Sequence, residues 1–151
     1  MSHALLSGFF FSVSFTGQSG KSDAAFQEAT GLSKTLGVEE VVSGGENRFK
    51  YRLPTQVQFE NLTLKRGIAP VDSPLLTWCQ ETLDSGLAKP IKPKNAIVKL
   101  LNSDGQPCQS WTFVNAYPVK WSVSELNSEK NALLIESIEL AFNYFHLEKR
   151  S

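Results

Sequence analysis

The stretch Val57-Gln58-Phe59-Glu60-Asn61-Leu62-Thr63-Leu64-Lys65-Arg66-Gly67 decides how this chain reads. Apolar and polar residues alternate along it, the period of a half-buried strand, and the run stops at a glycine. Its phase changes on the way. Val57 and Phe59 lie on the odd-numbered face and Leu62 and Leu64 on the even-numbered one, so a bulge or twist near Asn61 is expected to bring both halves to one core. The stretch carries no catalytic chemistry and sits next to a glycine-marked arm.

That arm lies upstream. From Lys34 to Gln56 the chain is rich in charge and glycine, and its apolar residues are sparse: Val38, Val41, Val42, Phe49, Tyr51 and Leu53. Two short strands around a Gly44-Gly45 tip suit this composition. The bland reading is an ordinary surface hairpin. The sharper one is an arm, about residues 39–56, that finds its apolar partners on another copy of the chain, because a two-stranded ribbon is marginal alone in water. Gly44, Gly45, Glu46, Asn47, Phe49, Tyr51, Leu53 and Pro54 are then the candidate subunit contacts.

Further upstream, Phe9-Phe10-Phe11-Ser12-Val13-Ser14-Phe15 alternates cleanly, with Ser12 and Ser14 opposite the apolar face. Phe26 to Leu32 reads as a second strand paired to it, with Gly31 as a bulge or close-approach point. Downstream, Asp72 to Gly86 is the one convincing helix, over about 73–86. Ser73 caps it, Pro74 is pre-set for the first helical position, and Gly86 can end it in the left-handed conformation. Its apolar stripe is Leu75 or Leu76 with Cys79 and Leu83, and a helix of this size usually covers an open end or edge of a sheet.

Pro90 and Pro93 forbid regular structure around Lys89 to Lys94. Ala96 to Leu101 is a strand closed by the turn Asn102-Ser103-Asp104-Gly105, and Trp111 to Asn115 returns antiparallel to it. Tyr117-Pro118 is expected to break the pairing before Val119, Trp121 and Val123 resume an alternating face. From Leu133 to Leu147 a strand separates the faces better than a helix does, with Ile138, Leu140, Phe142 and Tyr144 on one side and Ser137, Glu139, Ala141 and Asn143 on the other. The whole is mainly β: a small antiparallel β-barrel or sandwich with one flanking α-helix and an extended β-hairpin arm, a single domain over residues 1–151.

Composition excludes more than it selects. A chain of 151 residues buries roughly 70% of the surface it exposes unfolded, enough for one core. Hydrophobic residues make up 41% and charged residues 20%, which suggests neither disorder nor a membrane-embedded body. Fifteen basic residues balance fifteen acidic ones, so there is no global field to hold a polyanion. Cys79 and Cys108 have no metal-type spacing and only His3 and His146 as imidazole partners. The first residues lack a secretory pattern, so synthesis in the cytoplasm without a cleaved leader is expected, with no membrane insertion by its own segments.

At this point the chain resembles a known family: the tail-tube proteins of contractile phages and the inner-tube proteins of phage-tail-like contractile injection systems. The matching pieces run along nearly the whole chain. They include Gly8-Phe9, Phe26-Gln27-Glu28, Gly44-Gly45-Glu46-Asn47, Leu53-Pro54, Leu62-Thr63-Leu64-Lys65-Arg66-Gly67, Trp78, Val98 to Leu101, Trp111-Thr112-Phe113, Lys120-Trp121 and Glu136 to Leu140. The resemblance implies a barrel with a flanking helix, six copies of which close into a ring with a continuous inner sheet. The rings stack into a hollow tube inside a contractile sheath. It also implies an arm reaching to neighbouring subunits, and as partners a sheath protein, baseplate or spike and tube-terminating proteins, with cargo protein or DNA in the lumen. The particle would be a phage virion or a secreted injection machine in bacteria. Thr55 departs from the glycine usual after Leu53-Pro54 and puts the arm's local geometry in question.

Polar residues opposite the core, Ser12, Ser14, Glu28, Lys99 and Asn143, are candidates for lining the channel. The bland reading places them in bulk solvent. No enzyme is expected. Cys79 lies on the helix's apolar stripe and suits a buried thiol better than a nucleophile. Glu39-Glu40 and Glu136 with Glu139 look solvent-facing. Gly44-Gly45 precedes no helix and no Lys-Ser/Thr pair, so it does not cradle phosphate. Lys65-Arg66 with Lys89, Lys92 and Lys94 make only a modest basic patch without interleaved aromatics. Neither cofactor nor metal is called for. The alternative function is a monomeric small β-barrel binding an apolar ligand or peptide.

Overall fold

The computed structural model describes residues 8–17, 22–42, 45, 51–67, 72–86, 88–124 and 134–148. Their elements are β1 (Phe10–Phe15), β2 (Asp23–Thr30), β3 (Lys34–Val41), β4 (Tyr51–Phe59), β5 (Leu62–Gly67), α1 (Pro74–Ser85), β6 (Lys94–Leu101), β7 (Pro107–Val123), β8 (Ile135–Ala141) and β9 (Tyr144–Leu147). Strands pair in the order β6-β1-β2-β5-β8-β7-β9, and β6 also pairs with β7. That extra ladder closes β6, β1, β2, β5, β8 and β7 into a six-stranded antiparallel barrel. β3 and β4 form a separate two-stranded ribbon.

The interior is full. Phe26, Leu62, Leu64, Val98, Phe113, Ile138 and Leu140 are completely buried, as expected of a barrel this narrow, whose inward side chains fill it. This packing leaves the interior to side chains and runs against a ligand-carrying barrel.

α1 plugs one barrel end. Ser73 is its N-cap, with an extended backbone and a hydroxyl that accepts the Leu76 amide at 3.1 Å, and Pro74 opens the first turn. Gly86 ends it at φ 55°. Its buried face is Leu75, Trp78 and Cys79, with Trp78 edge-on to Phe15 at 4.9 Å. Leu83 is 37% exposed; the 3.6-residue stripe continues past the area the barrel end can cover.

The phase change near Asn61 is a strand boundary, not a bulge in one strand. β4 ends at Phe59 in the ribbon and β5 begins at Leu62 in the barrel. The turn into the ribbon needs Gly31: its φ is 96°, and a Cβ there would stand 2.2 Å from the Asn61 carbonyl oxygen. Phe59 anchors the ribbon's root against Phe142 and Phe145, at 5.7 and 5.5 Å between centroids.

Tyr117-Pro118 does not interrupt β7, which runs for 17 residues. What changes there is the partner: Lys94 of β6 pairs with Ala116, and from Tyr117 to Val123 the ladder is with β8. In the described part of the 133–147 region, residues 135–147 are extended as expected, but they kink after Ala141 into two strands. The kink reverses the alternation, so Phe145 is buried and Tyr144 is 49% exposed.

Candidate functional site

Three surfaces stand out: an outward polar sheet face, two unfinished strand edges and the apolar ribbon. The first follows from the pleat. On β5 and β8 the inward residues are Leu62, Leu64 and Arg66 with Glu136, Ile138 and Leu140, all buried. The alternate residues point out. Registers place Glu28 beside Lys65, Lys65 beside Ser137, and Ser137 beside Ser122. A second row runs Thr30, Thr63, Glu139, Lys120. Lys65 Nζ lies 3.7 Å from Glu28 Oε2, and Asn61 Nδ2 donates to Glu139 Oε2 at 2.8 Å. Two acids and two lysines thus balance on one wetted sheet.

The edges flank this face. β1 meets β2 only at Phe11–Phe26 and Val13–Asp23, which leaves the 27–30 edge of β2 without a strand partner among the described residues. β6 leaves β7 at Ala116, which does the same for 117–123. Val119 and Trp121 are 39% and 38% exposed on that edge.

The ribbon is exposed along almost its whole length. Cross-strand pairs Leu36–Val57, Val38–Pro54 and Val41–Tyr51 face solvent, with Leu53 opposite Glu39. Two residues of β4, Thr55 and Gln56, oppose the single Gly37 between the Leu36–Val57 and Val38–Pro54 pairs, a bulge. The bulge also explains Thr55. A Cβ on residue 37 would stand 2.1 Å from Thr55 Oγ1, so the glycine opposite makes room for the threonine.

The residues expected to be functional therefore separate. Tyr51, Leu53 and Pro54 are on the ribbon, and Gly45 is exposed in a turn at φ 84°. Gly44, Glu46, Asn47 and Phe49 lie outside the described residues. Glu28 stands on the polar face. Ser12 does not face open water: it is only 6% exposed, a short side chain flanked on both sides by paired strands. Ser14 and Lys99 are half-buried on β1 and β6, away from that face, and Asn143 is exposed at the β8–β9 kink. The signal for Thr63, Lys65, Ser137 and Glu139 lies in the alternation of their strands; strand order was needed to see them as one surface.

Arg66 belongs to no basic patch. It is 3% exposed inside the end plugged by α1. Its Nη1 donates to Asp23 Oδ1 at 2.9 Å, its Nε to Glu136 Oε1 at 3.0 Å and its Nη2 to Ser73 Oγ at 3.0 Å. Ser73 Oγ also donates to Asp23, the Leu75 amide donates to Asp23 Oδ2 at 3.0 Å, and Trp121 Nε1 donates to Glu136 Oε2 at 3.1 Å. Two carboxylates against one guanidinium leave a surplus negative charge, which the N-terminus of α1 offsets. Glu136 is accordingly not solvent-facing: it falls in phase with the buried Ile138 and Leu140.

Nearby, burial and the Glu136 carboxylate push the Cys79 thiol up to about 12, the opposite of what a nucleophile needs. Beside β9, a hydrogen bond of 2.6 Å from Thr112 Oγ1, aided by His146, holds the Glu148 carboxyl below its usual range. Among the described residues, no group of three His, Cys, Asp or Glu could hold a metal ion, and no helix is long and apolar enough to cross a membrane. A surface groove of about 690 Å³ runs between α1 and the 88–92 segment, mixing Glu81 and Asp84 with Lys89 and Lys92.

These features define a class: small closed β-barrels that keep unsatisfied sheet margins and a projecting ribbon. The chain belongs to the family of the T4-like virus tail tube protein gp19, whose model matches residues 7–146. A chain in the six-fold symmetrised cryo-EM structure of the anti-feeding prophage (AFP) baseplate is 30% identical, with TM-score 0.76 over 93% of this chain and 92% of that one. A chain of the PVC sheath-tube complex, an extracellular contractile injection system in its extended state, is 22% identical, with TM-score 0.71 over 91% and 87%. Hcp1 from Salmonella typhimurium shares the fold at 17% identity, with TM-score 0.50 over 91% and 84%. No match emerges among curated protein sequences.

Proposed function

We propose that this chain is the repeating subunit of the hollow inner tube of a contractile injection system or phage tail. Residues 1–151 act as one tail-tube-like domain. Six copies close into a ring, and rings stack within a sheath between a baseplate or spike and a terminator. The observation that carries this reading is the four-stranded sheet β2-β5-β8-β7, polar on its outward face and, among the described residues, unfinished at both margins. Repeated around an axis, such a sheet becomes a wetted wall with no free edge, which is how an edge hazard is removed. Glu28, Thr63, Lys65, Lys120, Ser122, Ser137 and Glu139 then line the channel through which cargo protein or DNA passes.

The ribbon supplies the contact between rings, through Tyr51, Leu53, Pro54 and their neighbours from Gly44 to Phe49. Its role is structural and calls for no reaction. Negative-stain microscopy of the purified protein tests the reading: rings with a central hole, or tubes built of them, are expected. A compact monomer at high concentration would overturn it.

A further inference from the structure

The two unfinished margins carry opposite charge, and this selects how copies meet. The 27–30 edge of β2 presents Glu28 and no basic residue; the 117–123 edge of β7 presents Lys120 and no acidic one. Strand direction agrees. β2, β5, β8 and β7 are each antiparallel to the next, so β7 runs opposite to β2. A second copy's β2 laid against β7 continues the alternation unbroken. Two β2 edges brought together would instead set Glu28 against Glu28, and two β7 edges Lys120 against Lys120. Like charges placed opposite each other destabilise a pair of strands, and unlike charges stabilise it.

The β7 edge also holds Val119 and Trp121, whose exposed apolar surface a neighbouring strand would cover. The Trp121 indole is already held by the buried Glu136, so it enters the contact preset.

Resting on the tube reading, we propose that the seam within a ring joins the 117–123 edge of β7 in one copy to the 27–30 edge of β2 in the next, with Lys120 facing Glu28 of the neighbour. The polarity makes the contact head-to-tail. A self-complementary pair would stop at two copies, whereas a head-to-tail contact propagates until the ring closes.

The test uses two full-length variants, Lys120→Glu and Glu28→Lys, each checked by far-ultraviolet circular dichroism for an intact fold. Alone, each should lose its rings, because every seam then sets like charges together. Mixed in equal amounts, they should recover rings, since an alternating arrangement gives every seam one acid and one lysine, and an even-numbered ring accommodates it. A folding defect could not be cured by mixing two defective chains. If a reversal unfolds the chain, Lys120→Gln and Glu28→Gln replace it, with partial ring loss expected from each. Rings of wild-type yield from both single variants would overturn the seam, as would a mixture no better than its components, with the tube reading left standing. A monomeric unsubstituted chain would instead remove the tube reading and the seam with it.

Discussion

Arg66 shows what a single residue can do here and how it could have been found. It follows Lys65, so as a dipeptide it looks like surface charge. In phase it belongs with Leu62 and Leu64, and that alternation sends it inward to Asp23, Glu136 and Ser73. It also lies over the Phe26 ring at 4.4 Å, an added cation–π attraction. Removing one partner of a buried, fully bonded charge set leaves the others desolvated and unpaired. Arg66→Ala should therefore cost about 3–5 kcal/mol, read as a lowered urea midpoint against wild type; an unchanged midpoint would mean that the cluster is hydrated, not buried. Cys79 gives a second test at this scale. In the folded chain its thiol holds its proton from the ordinary 9.0 up to about 12, while in the unfolded chain it ionises near 9. Its contribution to stability is thus complete below pH 9 and falls away as the pH rises toward 12. A thiol reagent at pH 8 should label half-buried Cys108 readily and reach Cys79 only after denaturant is added.

Elements set by local rules were legible, and those set by distant partners were not. The helix needed only Ser73, Pro74 and Gly86, whose preferences act within a turn or two of chain. Gly31 was also readable, as a point where only a glycine can pass. By contrast, Tyr117-Pro118 marks a break without saying which strand pairs on either side of it, and the phase change within 57–67 does not say that β4 and β5 lie in different sheets. A period-2 pattern reports which residues leave the core, but not which strand lies alongside, and for that reason Ser12 and Lys99 stood beside Glu28 as equals. The ribbon's bulge carries a prediction at this scale. Gly37→Ala should displace β4, since its new Cβ falls within 2.1 Å of Thr55 Oγ1, and overpacking of this kind typically costs about 1–3 kcal/mol. Thr55→Gly should be tolerated alone and should rescue Gly37→Ala. Tube yield in the single and double variants reads the coupling, and additive losses would show that Gly37 and Thr55 do not share the space.

For the whole molecule, the proposed assembly falls into two separable tasks. The margins of β2 and β7 lie at the sides of one sheet, suited to a neighbour around a ring. The ribbon leaves from the barrel end where Thr30 and Leu62 lie, opposite the end plugged by α1, suited to a neighbour along the axis. Among the described residues the ribbon meets the barrel's packing at its root, through Phe59 and through Lys34, whose ammonium lies 4.9 Å from the Phe145 ring centroid, whereas Leu36, Val57, Tyr51 and Leu53 are about half exposed. Leu53→Asp should then leave the fold and its unfolding midpoint within about 0.5 kcal/mol of wild type, as for surface substitutions generally. In the proposed stacking contact Leu53 is covered by the next ring, and an ionised carboxylate there is costly to desolvate, so this variant should give single rings in place of tubes. Microscopy separates the outcomes: single rings assign the ribbon to stacking, unchanged tubes exclude Leu53 from any contact, and dispersed monomers would place the ribbon inside the ring seam as well.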